Sequence, residues 1–203
     1  MKRFTTAFLF LGLIISTAIQ VQAQKSEADV KNLLEQRDQE IKDLLGPEGT
    51  EYTDDQRAKL KNIINGIIDF EAMAKVALEG TFDTLSDENR AEFVDLFSTI
   101  IRDQSLNKLD IYRADVDYEL INVNGDDARV ETIAELDEIR TPVYYDMYYK
   151  GSEWVITDMS IDDVSTANSY QKQFTRIINK RGFDGLMDVL RKRAARATST
   201  SSE

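Results

Sequence analysis

Neither cysteine nor histidine occurs in this chain of 203 residues. The first absence excludes disulfides, thiol nucleophiles and thiolate metal ligands. The second removes every histidine-based catalytic dyad or triad. Basic residues are in deficit too: 25 Lys and Arg stand against 37 Asp and Glu, for a net charge of −12. Non-specific nucleic-acid binding needs a basic footprint on phosphate, so this balance argues against it. The chain also lacks a glycine-rich phosphate loop, an internal repeat and a low-complexity linker. With 42% apolar residues it can bury a sizeable core, and a single domain over 24–193 is expected.

The two ends read differently from the middle. Lys2 and Arg3 precede an apolar stretch from Ala7 to Ala18, and Val21-Gln22-Ala23 offers small residues at a cleavage site. The stretch is shorter than the roughly 18–20 residues a membrane span needs, so residues 1–23 are expected to be a cleaved export signal. No Cys follows it, which excludes a lipoprotein anchor. Cleavage leaves 23 basic against 37 acidic residues, a net charge of −14. Residues 194–203 are small, polar and aperiodic, and are expected to form a flexible tail.

Between the ends, helical periodicity gives way to alternation and then returns. Val30, Leu33, Leu34, the stem of Arg37, Ile41, Leu44 and Leu45 form one helix face, which Gly46-Pro47 stops. Thr53-x-x-Gln56 is a capping box for a second helix, with Leu60, Ile63, Ile64, Ile67 and Ile68 as its stripe. A third helix from Asp69 carries Phe70, Met73, Ala74 and Ala77, with Gly80 suited to its C-terminal cap. Ser86 caps a longer one bearing Phe93, Leu96, Phe97, Ile100 and Ile101. Past Asp110 the period becomes two. Val116, Tyr118 and Leu120 alternate with acids, and Asn124-Gly125 marks a hairpin. A three-residue loop there sets Leu120 opposite Val130 and Tyr118 opposite Thr132. Strands Pro142–Lys150 and Glu153–Met159 meet at Gly151-Ser152, which pairs Tyr149 with Trp154 and Met147 with Ile156. Helices resume at Ser165 or Thr166, break at Gly182 and end near Arg193. The fold class is therefore α+β: a curved four-stranded antiparallel meander packed against N- and C-terminal helices.

Chemistry is sparse. Asp126, Asp127, Asp158, Asp162 and Asp163 lack the spacing of a calcium loop and read as turn and capping carboxylates, with Asp158 buried and structural. Ser152, Ser165 and Ser169 have no base to activate them, so no catalytic residue and no metal ligand is assigned, and no cofactor is expected. The unusual feature is aromatic: Tyr144, Tyr145, Tyr148 and Tyr149 share a strand with Met147, opposite Trp154. Periodicity leaves two readings open, a solid core under the helices or an apolar pocket between sheet and helices. The first fits an exported adaptor or interaction domain without a lipid ligand. An enzyme working through Asp158 is a third reading.

Several stretches resemble the MlaC family (also called the toluene-tolerance family) of periplasmic phospholipid-binding proteins. The passage Trp154–Ser165 (WVITDMSIDDVS) is similar to the family's strand-to-helix segment, and Ser169–Phe174 (SYQKQF) and Ile178–Leu186 (INKRGFDGL) continue it. Upstream, Ile67-Ile68-Asp69-Phe70-x-x-Met73-Ala74, Arg90-x-Glu92-Phe93-x-x-Leu96-Phe97 and Leu109-x-x-Tyr112 also fit. Asp163 departs from the pattern, which usually has Gly there; Asp tolerates left-handed backbone better than most residues.

The resemblance implies a soluble periplasmic shuttle, not an enzyme, that encloses a phospholipid's acyl chains in an apolar pocket and leaves the headgroup in water. Its implied partners are an inner-membrane ABC transporter with an MCE-type component and an outer-membrane lipoprotein–porin complex, and a monomer is the default. For the implied pocket, the inward sheet positions Val116, Tyr118, Val130, Tyr145, Met147, Tyr149 and Ile156 are expected to bind lipid. Phe97, Ile101 and Tyr112 would close one side, and Val164, Tyr170 and Phe174 another.

Overall fold

The computed structural model describes residues 25–106 and 109–200, so the expected export signal lies outside the described residues. Helix α1 (Glu27–Leu45) starts from a capping box in which Ser26 Oγ accepts the Asp29 amide at 3.2 Å and the Asp29 carboxylate accepts the Ser26 amide at 3.1 Å. Helix α2 (Asp54–Asn65) repeats the device with the expected pair, Thr53 and Gln56. Gly46, with a φ of 60°, ends α1. Arg113, which closes a 3-10 turn over Leu109–Arg113, reaches back and donates to the carbonyls of Leu45, Gly46 and Pro47 and to the Tyr52 hydroxyl. One guanidinium thus satisfies carbonyls that a helix end leaves open.

Helix α3 (Phe70–Leu78) is capped by Asp69, whose carboxylate accepts the Glu71 and Ala72 amides, both at 3.1 Å. Gly80 does not serve as its C-terminal cap. Glu79 takes the left-handed φ of 50° instead, and Gly80 opens the short helix α4 (Gly80–Thr84). Ser86 caps α5 (Asp87–Leu106) by accepting the Asn89 amide at 3.3 Å.

Five strands follow in sequence order, all antiparallel: β1 (Asp115–Asn124), β2 (Asp127–Leu136), β3 (Ile139–Lys150), β4 (Glu153–Ile161) and β5 (Val164–Ser165). Two registers differ from expectation in instructive ways. Asn124 pairs with Asp127, so the first hairpin turns on two residues, and the frame is corrected by a bulge at Glu119. Tyr118 therefore still faces Thr132, while Leu120 faces Glu131 and is 45% exposed. The pairs Tyr149–Trp154 and Met147–Ile156 form as expected, beyond which a second bulge brings Tyr145 opposite Met159. Strand β5 is an addition to the expected four. Two residues carry no alternation to detect, and its turn is built from Asp162 and Asp163 at φ 49° and 61°.

The free edge of β4 beside β5 is not left open. Ile156 donates to the Ile67 carbonyl at 2.7 Å and accepts the Asp69 amide at 2.8 Å, so the α2–α3 linker pairs with the sheet. Lys150 fixes the same corner through its 2.7 Å contact with Asp69. Burial works to raise the Asp69 carboxyl, but the Lys150 ammonium and the two α3 amides outweigh it and hold the group below the usual carboxylate range.

Helix α6 (Thr166–Thr200) breaks at Gly182, where φ is 71°, as the sequence indicates. It then runs on past Arg193. The expected flexible tail is helical as far as Thr200, with Ala194 and Ala197 buried, because alanine favours the helix and Ala194 packs into the helical core. Among the described residues no helix is long and apolar enough to cross a membrane.

The hydrophobic core is divided into three. One cluster joins α3, α4, α5 and α6 around Phe93, Phe97, Phe174 and Leu186. A second joins the sheet to the first half of α1 through Val30, Val130, Met147 and Trp154. The third joins the end of α1 to α2 through Ile41, Leu45 and Leu60. Domains usually show one contiguous core, so the division calls for a cause. The opposite face of the sheet is polar, with Arg129 bridging Asp146 at 2.8 Å and lying 4.8 Å from the Tyr144 ring.

Candidate ligand cavity

A cavity lies where the three clusters meet. Its volume is about 150 Å³, and it opens to solvent. Helix α1 contributes Leu34, Arg37, Asp38 and Ile41; α2 and the linker after it contribute Ile63, Ile64, Asn65, Ile67 and Ile68. Met73 of α3, Ile101 and Ser105 of α5, and Tyr112 of the 3-10 turn close the helical side. The sheet supplies Val116, Tyr118, Tyr145, Ile156 and Met159, and Thr166 begins α6 beside them. Strands lie about 4.8 Å apart, so a cavity reaching from β1 to β4 spans roughly 14 Å across the sheet. An apolar lining with a few polar groups is the usual form of a small-molecule site.

Of the thirteen residues expected at a pocket, Ile101, Tyr112, Val116, Tyr118, Tyr145 and Ile156 are brought together in this lining. The others lie elsewhere. Phe97, Tyr170 and Phe174 form an aromatic cluster with Phe93 in the helical core, neighbouring ring centroids lying 5.0 to 5.8 Å apart, and the Tyr170 hydroxyl donates to Gln104 at 2.9 Å. Helix α6 packs on α3 and α5 there, which fills the space between them. Val130, Met147 and Tyr149 pack with Trp154 under α1, and Tyr149 meets Trp154 edge-on at 5.3 Å. Val164, on β5, is 59% exposed.

Sequence reasoning missed the α2 side of the cavity. The doublets Ile63–Ile64 and Ile67–Ile68 were the available signal. They make an apolar stripe wider than α2 needs to pack on α1, and Ile63 and Ile64 are only half-buried as a result.

The polar groups of the lining are few. Arg37 pairs with Glu40 at 2.7 Å and Asp38 with Lys42 at 2.9 Å, so both charges are matched along α1. Asn65 is buried; its amide donates to the Lys61 carbonyl at 2.7 Å and to Ser105 Oγ at 3.1 Å. Burial pushes the Tyr112 phenol up to about 12 and raises Tyr118 and Tyr145 further, with the Asp38 charge adding to both. Among the described residues no three acidic side chains converge as a cation site requires.

These shifts set an alkaline limit on the fold. From about pH 10 the unfolded chain sheds phenolic protons that the folded chain retains, so stability falls as pH rises from about 10 through 12. Followed by phenolate absorbance and circular dichroism together, the three cavity phenols are expected to ionise as a late class, concurrent with loss of structure. A single reversible class near pH 10 with the fold intact would contradict this.

Helices that cover one face of an antiparallel meander without filling the space beneath them define a cavity-bearing α+β protein. The family model for the MlaC protein matches residues 35–192, and the chain belongs to the MlaC family. In fold it is similar to a phospholipid-binding protein from Ralstonia solanacearum whose structure was solved in complex with a phospholipid. The two share 21% identity and superpose with a TM-score of 0.71 over 86% of this chain and 99% of that one. Comparison with curated protein sequences finds no match.

Proposed function

We propose that the protein is a periplasmic carrier that holds a phospholipid by its acyl chains in this cavity and passes it between membrane complexes. The observation that carries the reading is the apolar cavity at the junction of the three core clusters, in a chain of the MlaC family. The phospholipid held by the similar Ralstonia protein supports the same ligand class. Each methylene withdrawn from water is worth about 0.8 kcal/mol, so a two-chain lipid cannot cross an aqueous space bare. A dry pocket and a bilayer are nearly equal in this respect. Transfer between them is close to balanced, and direction is supplied by the partners.

Those partners are an inner-membrane ABC transporter with an MCE-type component and an outer-membrane lipoprotein–porin complex, as the family resemblance implies. The carrier itself performs no chemistry in this scheme. Its one buried carboxylate among the described residues, Asp158, is committed to hydrogen bonds with β4 and α6.

Native mass spectrometry of the exported, signal-cleaved protein, purified without detergent, tests the reading. An added mass matching one phospholipid, recovered by organic extraction, is the expected result. A bare polypeptide that stays bare after incubation with liposomes would sink the carrier reading and favour an adaptor of the same fold.

A further inference from the structure

The three cavity tyrosines differ from other tyrosines of the chain in what their hydroxyls do. Tyr52 donates to the Leu45 carbonyl at 2.9 Å, Tyr149 to the Ser152 carbonyl at 3.2 Å and Tyr170 to Gln104. Tyr112, Tyr118 and Tyr145 are half-buried and line the cavity with no hydrogen-bond partner among the described residues, and their hydroxyls keep accessible surface. A ligand that fills the cavity displaces water from these hydroxyls, and one left unpaired by it is costly; phenylalanine would line an all-hydrocarbon pocket better. Arg37 adds a buried Nε–H that also lacks a partner among the described residues.

The charges nearby decide what these donors suit. Arg37 and Asp38 are matched by Glu40 and Lys42, and Glu35 near Tyr118 is matched by Lys31, whose ammonium lies 5.6 Å from the Tyr118 ring centroid. An anionic phosphate or carboxylate would meet no unmatched cation here, since each nearby basic side chain is already paired. A neutral acceptor needs no unmatched cation. In a lipid, the neutral acceptors next to the acyl chains are the two ester carbonyls.

Resting on the carrier reading, we infer that Tyr112, Tyr118 and Tyr145 form an ester-recognition site, their hydroxyls donating to the carbonyl oxygens that join acyl chains to glycerol. The phosphate and headgroup then lie outside the ring, in water. The protein selects for ester-linked chains.

The test compares two phosphatidylethanolamines with identical chain lengths, one diester and one diether, offered together in liposomes to delipidated protein and read by native mass spectrometry. One or two net hydrogen bonds correspond to a preference of about tenfold for the diester. In the triple variant Tyr112→Phe, Tyr118→Phe, Tyr145→Phe, which keeps the ring shapes, the ratio is expected to fall to about one. Tyr118→Phe alone should lower it partway, and serves if the triple variant does not fold. Equal uptake by the wild-type protein, or an undiminished ratio in the variants, overturns the inference and leaves the carrier reading intact. Uptake of neither lipid overturns both.

Discussion

A Val116→Trp variant is expected to fold and to bind phospholipid about a hundredfold more weakly than the wild-type protein. Val116 lies on edge strand β1, half-buried, with its side chain in the cavity lining. Tryptophan suits a strand, and the indole projects into empty space without displacing a packed neighbour. It occupies room for about four methylenes, which at about 0.8 kcal/mol each amounts to about 3 kcal/mol of lost ligand burial. The matched control is Met147→Trp, one strand position that pattern reasoning also placed at the pocket. Met147 is 2% exposed and packed beneath α1, so there the indole overfills a solid core and costs about 1–3 kcal/mol of stability. Equilibrium binding of a fluorescent phospholipid, with urea unfolding alongside, separates the two. Unchanged affinity in a folded Val116→Trp protein would remove the lipid from this cavity.

Asp158→Ala should cost about 3 kcal/mol of stability, the largest single loss anticipated for a polar side chain in this fold. Its carboxylate is 9% exposed and accepts the Met159 amide at 2.8 Å, the Ala167 amide at 3.0 Å and the Ser165 hydroxyl. Ser165 Oγ in turn accepts the Asn168 amide at 3.0 Å, so one carboxylate and one hydroxyl tie β4 to the start of α6. Truncation strands two amides, one of them at the fully buried Ala167, and each unsatisfied buried group costs about 1–3 kcal/mol. Asp158→Asn retains one acceptor oxygen and should lose about half as much. Urea denaturation measures both. Wild-type stability in Asp158→Ala would mean that these amides find other partners.

The features legible in the sequence were those with a local cause. Thr53 and Gln56 cap each other because they stand three apart, and Gly182 breaks α6 because its φ of 71° suits glycine. The Gly151-Ser152 turn set the Tyr149–Trp154 pair by counting. Hidden features had causes at a distance. The bulge at Glu119 answers to the sheet's register and leaves no mark in the alternation. The β2–β3 turn is made by Asp137 and Glu138 at φ 51° and 65°, without the glycine that would announce it, and β3 accordingly begins three residues earlier than expected. The cavity is the clearest case. Phe97 and Tyr145 are both inward-facing aromatics, and only the packing of α6 against α5 makes one a core residue and the other a wall. Periodicity tells which side of an element faces inward; it is silent on how far away the opposite side lies.

The threefold division of the core bears on cooperativity. Each cluster is held by its own contacts, and few residues, Ile68 among them, belong to more than one. Separately packed clusters open as separate units, at less than the cost of global unfolding, and the junction between them is the natural seam. A molecule seated at that junction touches all three units and welds them into one, stabilising the whole by mass action. On the carrier reading, the loaded protein melts as a single body and exchanges its amide hydrogens slowly throughout, while the empty one yields first along the seam. The cargo is then the fourth part of the core.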